Sequence, residues 1–444
     1  MASLPLTRRS IFAQAWPIML GQTTVPLVGI VDVAVIGRTG DAAALAGVAL
    51  GTTIINFLFW SFGFLRMGMT GMTAQAEGAG DRAEVDAMLV RGLLVGFGFG
   101  AALLALQLLL IPAAFAILAG GPDVDASAKA YVAARFLGAP ASLAVFAVNG
   151  WLLGLGRSRS ALALQIVMNL VNAGLDILFV WHFHMGARGV GLGTASAEWT
   201  ALAMGLLLVA PRLHAVRDKA RLFHRAALAR LFAVNADIMI RTVALLTLFT
   251  WLANAGARLG AVPLAANQVL LQAVGLVAFV LDGFAFTAES RVGLAIGARS
   301  ATDLKRAIRL TGEFSFGFAA LACVLIWLGG EAAIRFVATD PGVRETAIAM
   351  LPMVALLPLL GTPAWLLDGI FIGATGGRAL RNAAILATAL YIATDWAMRG
   401  WGLTGVWLAF TLSYVYRAAT LGAYLPRLLR DLGTDPKAPR PQGV

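Results

Sequence analysis

Two aspartates stand inside long apolar runs of this chain, Asp32 and Asp176. Asp176 closes a polar stripe that starts at Gln165 and passes through Asn169 and Asn172. Spacings of four, three and four put all four side chains on one helix face. A carboxylate inside a bilayer is expensive unless it is paired, protonated or bound to a cation. Two nearby carboxylates can share a proton, because both cannot stay ionised cheaply. Together with amide and hydroxyl oxygens they can equally hold a small hard cation.

The elements that must position these groups are membrane helices. The chain has 444 residues, of which 59% are hydrophobic and 13% charged. A soluble domain carries roughly a quarter charged residues, so this composition describes a polytopic membrane protein. The single cysteine, Cys323, excludes an internal disulfide and a cysteine-based metal site. His182 and His184 read as an ordinary solvated loop. The net charge of +11 is spread through the segments between helices, so it reads as a topology signal and not as a nucleic-acid surface. Arg8 and Arg9 precede the first apolar run, but that run is too long for a signal peptide and contains Asp32.

About 20 apolar residues cross the hydrocarbon core. Twelve segments are expected, over residues 12–37, 44–70, 88–118, 130–155, 160–182, 189–211, 229–256, 264–290, 308–329, 345–374, 379–397 and 402–425. Pro17 and Pro26 make the first a candidate to bend. With the N-terminus inside, the outer segments hold only Arg38, Lys129, Arg135, Arg188, Arg258, Arg335, Arg344 and Arg399 of the 34 Lys and Arg. Arg66, Arg241 and Arg417 lie within helices, and the rest fall inside. That bias puts both termini in the cytoplasm. The expected organisation is an all-α integral membrane protein of two pseudo-symmetric six-helix lobes. Residues 1–218 form the N-lobe with its linker, 219–430 the C-lobe, and 431–444 a disordered tail.

The halves repeat. A shift of 219 residues carries Leu45-Ala46 onto Leu264-Ala265, Gly78-Ala79 onto Gly297-Ala298, Gly150 onto Gly369, Gly154 onto Gly373, Arg159 onto Arg378 and Asp176 onto Asp395. Six helices per half make both halves enter from the same side, so the pseudo-twofold axis runs along the membrane normal. Asp32 falls on Trp251 and has no acidic counterpart.

Depth brings the candidates together. Asp32, Asp176 and Thr194 each lie about six residues from the outer end of their helix, roughly 9 Å below the surface at 1.5 Å per residue. Asn172 is one turn deeper. These four are the expected ion site. Gln165, Asn169 and Glu198 are candidates to line a substrate chamber. The plain alternative for each is a structural hydrogen bond, as threonines in membrane helices commonly make. In the second half, Asp237 and Arg241 are four apart and expected to pair. Arg66 and Glu289 lie near the cytoplasmic side of pseudo-equivalent helices. With Asp282 and Asp368, this group is expected to form pairs between the lobes that hold one conformation closed. No Walker A sequence occurs, so ATP does not drive the protein directly. The glycines around Gly373-Ala-Thr-Gly-Gly377 read as turns and close packing.

Val25-Pro-Leu-Val-Gly-Ile-Val-Asp-Val-Ala-Val-Ile-Gly37 resembles the first helix of multidrug and toxic compound extrusion (MATE) transporters, most closely their DinF branch. Phe64-Leu-Arg-Met-Gly-Met-Thr-Gly-Met-Thr-Ala-Gln75, Asn235-Ala-Asp-Ile-Met-Ile-Arg241, Leu281-Asp-Gly-Phe-Ala-Phe286 and Leu367-Asp-Gly-Ile-Phe-Ile-Gly-Ala-Thr375 strengthen the resemblance over nearly the whole chain. It implies an exporter that exchanges a cytoplasmic compound for an inward-moving ion. It also implies a cation and proton site at Asp32, Asn172, Asp176 and Thr194, and a substrate-lining role for Asn149. The mid-helix carboxylate that other branches carry in the C-lobe is missing from Val243–Trp251.

The resulting expectation is a secondary antiporter, not an enzyme. It is a multi-pass monomer in the bacterial inner membrane that exports amphipathic, often cationic compounds by alternating access. The coupling ion is a proton, with sodium second, and no other cofactor is implied. Small substrates and the bilayer are the partners, and nucleic acid is not. A lipid-linked precursor flippase of similar fold is the alternative, and it would favour a basic cavity.

Overall fold

Inside a bilayer the backbone has no water to bond, so long apolar runs must satisfy their own N–H and C=O groups. The computed structural model describes residues 6–118, 120–215 and 219–433. They are helical almost throughout, with no strand among them. The first half carries α1 (Arg8–Gly37), α2 (Ala42–Trp60), α3 (Phe64–Gly78), α4 (Arg82–Ile117), α5 (Pro122–Phe136), α6 (Ala139–Gly154), α7 (Ser158–Ile177) and α8 (Gly186–Ala215). The short α9 (Lys219–Leu222) lies in the link. The second half carries α10 (Arg225–Leu259), α11 (Ala261–Gly297), α12 (Ala301–Val337), α13 (Pro341–Gly373), α14 (Gly377–Ala397) and α15 (Gly402–Gly433).

Each expected span falls on helix. Among the described residues nine stretches are long and apolar enough to cross a bilayer, with Ala42–Gly78 counted as one. The pair α5 and α6 makes a tenth, bent by 52°. Gly138 sits in that bend, and Pro140 lies in the first turn of α6, where its missing N–H does no harm. The last two expected spans are α14 and α15, of 21 and 32 residues. They are long enough, but Arg378, Arg381 and Asp395 in one, and Arg417, Arg427 and Arg430 in the other, dilute their apolar character. Pro17 and Pro26 both lie within the continuous helix α1. The tail expected to be disordered lies outside the described residues from 434 on; its first residues, 431–433, continue α15.

The repeat is visible in the local chemistry. Asp81 caps α4 by accepting from the Glu84 N–H, and its repeat mate Ser300 caps α12 by accepting from the Asp303 N–H. The glycine landmarks are close-packing points. A Cβ on Gly150 would lie 2.4 Å from the Arg66 carbonyl, and one on Gly369 would lie 2.4 Å from the carbonyl of Ala285, the repeat mate of Arg66. A Cβ on Gly78 would lie 2.1 Å from the Leu294 carbonyl, and one on Gly297 would lie 2.0 Å from that of Gln75, the repeat mate of Leu294.

Two compact units divide the chain differently from the expected halves. One holds Leu20–Thr73 and Asp81–Asn235. Its packing includes Ala141, Ala144 and Val145 of α6 against Ala201 and Leu202 of α8. Arg91, buried in α4, donates to the Leu222 carbonyl at 2.9 Å and to Glu84 at 2.6 Å, which ties the link to this unit. The other unit holds the chain from Ala236 on, together with Ala74–Gly80 and the foot of α1 through Met19. Its main core gathers Leu248, Leu252, Leu270, Val354, Tyr391, Trp407 and Phe410. A smaller cluster joins α11, α12 and α13 through Ala288, Val292, Leu304 and Ile370.

Gly297→Leu should lower stability by about 1–3 kcal/mol, because the added side chain meets helix backbone that cannot yield. Gly317→Ala, at a position with open space around it, should not. Thermal unfolding of the purified variants in detergent checks the difference.

Candidate functional site

The unit that begins at Leu20 carries the acidic site. Asp32 and Asp176 are buried, 4% and 0% exposed, in positions with no solvent to dissipate charge. Asp32 on α1 reaches both the Asp176 carboxylate and the Asn172 amide. On α7, Asn172 donates through Nδ2 to Asp176 at 3.1 Å and to the Thr194 hydroxyl at 3.0 Å. The Thr194 hydroxyl in turn donates to the Val190 carbonyl at 3.1 Å, which fixes its lone pairs toward the site. All four expected residues therefore meet.

Helix packing explains how they meet. A Cβ on Gly193 would lie 2.0 Å from Asp176 Oδ1, so only glycine lets α8 approach the carboxylate. The outer part of α1 is tied to α7 on either side of Asp32. Asn169 donates to the Thr24 carbonyl at 3.3 Å, and Trp181 donates to the Val35 carbonyl at 3.0 Å. Trp181 belongs to a π-helical turn, Leu178–His182, that continues α7. A π turn shifts the face a helix presents and recurs at functional sites. Gln165 donates to Asn169 at 2.8 Å, so the lower stripe is satisfied within itself and against α1.

Beside the acid pair lies a cation that the charge count assigned to an outer segment. Arg135, 7% exposed, pairs with Glu198 at 3.0 Å and lies 5.4 Å from the centre of the Phe59 ring. Its charge acts on Asp32, Asp176 and Tyr131. The Tyr131 hydroxyl accepts from Thr52 at 3.2 Å. The expected span 130–155 already held Arg135 five residues inside its start, and Glu198 needed a partner at similar depth. That combination was the available signal. Glu198 is 5% exposed and sealed by Gly138, whose Cβ would meet its Oε2 at 2.1 Å, so it braces helices and does not line an open chamber. Asn149 is half-buried, and its Oδ1 has no partner among the described residues.

The repeat mates of the site are arranged differently. Asp395 remains, but Trp251, at the position of Asp32, donates to it at 2.9 Å. Arg258 donates to the same oxygen at 2.7 Å. Tyr391 replaces Asn172 and Ser413 replaces Thr194. The second carboxylate is thus matched by fixed donors where the first faces another acid.

The expected pairing of Asp237 with Arg241 is corrected. Asp237 pairs with Arg381 at 2.7 Å, and Arg241 pairs with Asp368, which also lies 3.8 Å from Arg417. Both pairs lie inside the unit that begins at Ala236 and do not join it to the other. The reason is steric. Gly377 at the start of α14 sits so close that its Cβ would be 2.7 Å from that of Asp237, which puts Arg381 one turn on within reach. Glu289 is buried in α11, and Arg66 is half-buried near the start of α3.

A bundle of membrane helices in two repeated halves with carboxylates buried among them is the architecture of a transporter. The MatE family model matches residues 17–178 and 238–397, one stretch in each half, and the chain belongs to this family, the MATE transporters. DNA damage-inducible protein F of Escherichia coli K12 is 36% identical over 97% of this chain and 95% of its own length. Multidrug resistance protein PmpM of Pseudomonas aeruginosa is 25% identical over 96% and 94%. Among solved structures, an outward-facing multidrug resistance MATE family transporter of the MOP superfamily superposes with a TM-score of 0.87 at 17% identity, covering 96% of this chain and 97% of that one.

Arg135→Ala should destabilise the protein by about 3–5 kcal/mol by leaving Glu198 buried and unpaired. Arg135→Met combined with Glu198→Leu should recover most of that loss. A double-mutant cycle on unfolding temperatures measures the coupling. Arg258→Ala should likewise destabilise by exposing Asp395 to the same penalty.

Proposed function

We propose that this protein is a multidrug efflux antiporter of the inner membrane, acting as a monomer with both termini cytoplasmic. It exports amphipathic, often cationic compounds in exchange for inward-moving protons, with sodium as the second candidate ion. The observation that carries the reading is the buried contact of Asp32 with Asp176, braced by Asn172 and Thr194. Such a pair gains stability from one proton held between two oxygens, and the alternative occupant is a small cation that replaces it.

In an outward-open state the ion reaches Asp32 and Asp176 and lowers the site's negative charge. That weakens its hold on a cationic substrate, which leaves. The loaded protein turns inward, loses the ion to the cytoplasm and binds again. Relatives named as multidrug resistance proteins support the substrate class. Asn149, with its unpartnered oxygen, and Gln165 and Asn169 on the lower stripe are the residues we assign to substrate contact. Arg66, Asp237, Arg241 and Glu289 are assigned to the ion pairs that change between states. A flippase for anionic lipid-linked precursors needs a basic chamber, and the acid pair disfavours it.

Asp32→Asn and Asp176→Asn should each abolish dye efflux from proteoliposomes while the protein still inserts and unfolds at a normal temperature. Imposed pH and sodium gradients, applied separately, should show efflux driven by the first. Export by both variants at wild-type rates sinks the mechanism, and efflux driven only by sodium replaces the ion.

A further inference from the structure

A cavity of about 700 Å³ opens where the first turn of α1 meets α12. Five cations line it: Arg8, Arg9, Lys305, Arg306 and Arg309. One carboxylate, Glu313, faces them. It is engaged by Arg8 at 2.9 Å and by Arg309 at 2.9 Å. Arg9, Lys305 and Arg306 have no carboxylate partner among the described residues. Three of the five cations are therefore unpaired, and the lining carries a net charge of +4.

Next to this cavity, further along both helices, lies an aromatic cluster. Phe12 lies one turn beyond Arg8 on α1, and its ring centre is 6.0 Å from that of Phe314 and 6.5 Å from that of Phe318 on α12. Phe12 remains 41% exposed, so part of this aromatic face is uncovered. All these residues belong to one compact unit. Cations beside a partly exposed aromatic face complement an amphiphile with an anionic head and hydrocarbon tails. Guanidinium groups bind phosphate oxygens through paired N–H donors, and basic pockets at this depth attract acidic headgroups.

We propose that the foot of α1 and α12 is a binding site for an anionic phospholipid of the leaflet they face. The phosphate and its acidic headgroup sit among Arg9, Lys305 and Arg306, and an acyl chain lies along Phe12 and Phe318. Occupancy holds the foot of α1 against α12. A free phosphate shares the head chemistry but has nothing to place against the rings.

The full chain, purified in detergent, is titrated with phosphatidylglycerol, phosphatidylcholine and inorganic phosphate, with bound lipid counted by native mass spectrometry. Phosphatidylglycerol should bind at least about tenfold tighter than phosphatidylcholine, since each basic residue near a membrane surface contributes roughly fivefold. Arg306→Gln alone should lose about fivefold, and Arg9→Gln/Lys305→Gln/Arg306→Gln should erase the preference. Arg335→Gln, in an exposed pair at the other end of α12, should leave it intact. Unfolding temperatures in lipid-free detergent establish that the variants are folded. Should the triple variant misfold, Arg306→Gln alone decides. Equal binding of the two lipids by the wild type overturns the proposal. So does an unchanged preference in folded Arg306→Gln, or displacement of phosphatidylglycerol by millimolar inorganic phosphate.

Discussion

Removing a carboxylate from water without a partner is the constraint around which the first half of this protein is built. Asp32 and Asp176 are both out of water, and neither has a cation to itself. Arg135 is close, but Glu198 claims it at 3.0 Å. The two acids must answer each other, and their neighbours are arranged accordingly. Asn172 offers N–H donors, Thr194 is oriented by its own helix, and Gly193 removes the methyl group that would push α8 away.

The second half shows what the same backbone becomes once that constraint is relieved. Asp395 keeps the position of Asp176, yet an indole stands where Asp32 would be and Arg258 completes the match. Two fixed donors hold this carboxylate in one geometry. The two repeated halves thus differ at this position: the first sets Asp176 beside a second acid, and the second sets Asp395 against two fixed donors. The sequence departure at Val243–Trp251 and the paired state of Asp395 point the same way.

Much of this was legible from residue order. Depth counting and helix faces brought Asp32, Asn172, Asp176 and Thr194 to one level, because membrane helices are regular and 1.5 Å per residue is a dependable ruler. The repeat was legible because Gly78, Gly150, Gly297 and Gly369 are places where backbone meets backbone, and only glycine fits there. Arg135 was lost to a counting rule that treats every basic residue near a helix end as a loop charge. Asp237 was paired with Arg241 by a rule suited to exposed helices, where neighbours one turn apart have no competition. Inside a bundle, α13 and α14 supply better-placed partners. The division into compact units was not legible at all, since no periodicity records which unit the start of a helix will join.

That division has a consequence in time. The foot of α1 leaves the ribosome well before the segment it joins, since its partner Glu313 lies 305 residues later than Arg8. At about 5–20 residues per second, those segments wait on the order of 15–60 seconds for the surface they will join. Through that interval the first half can assemble around Asp32 while its own leading turns remain uncommitted. The order of synthesis therefore makes closing the foot of α1 a late event in maturation.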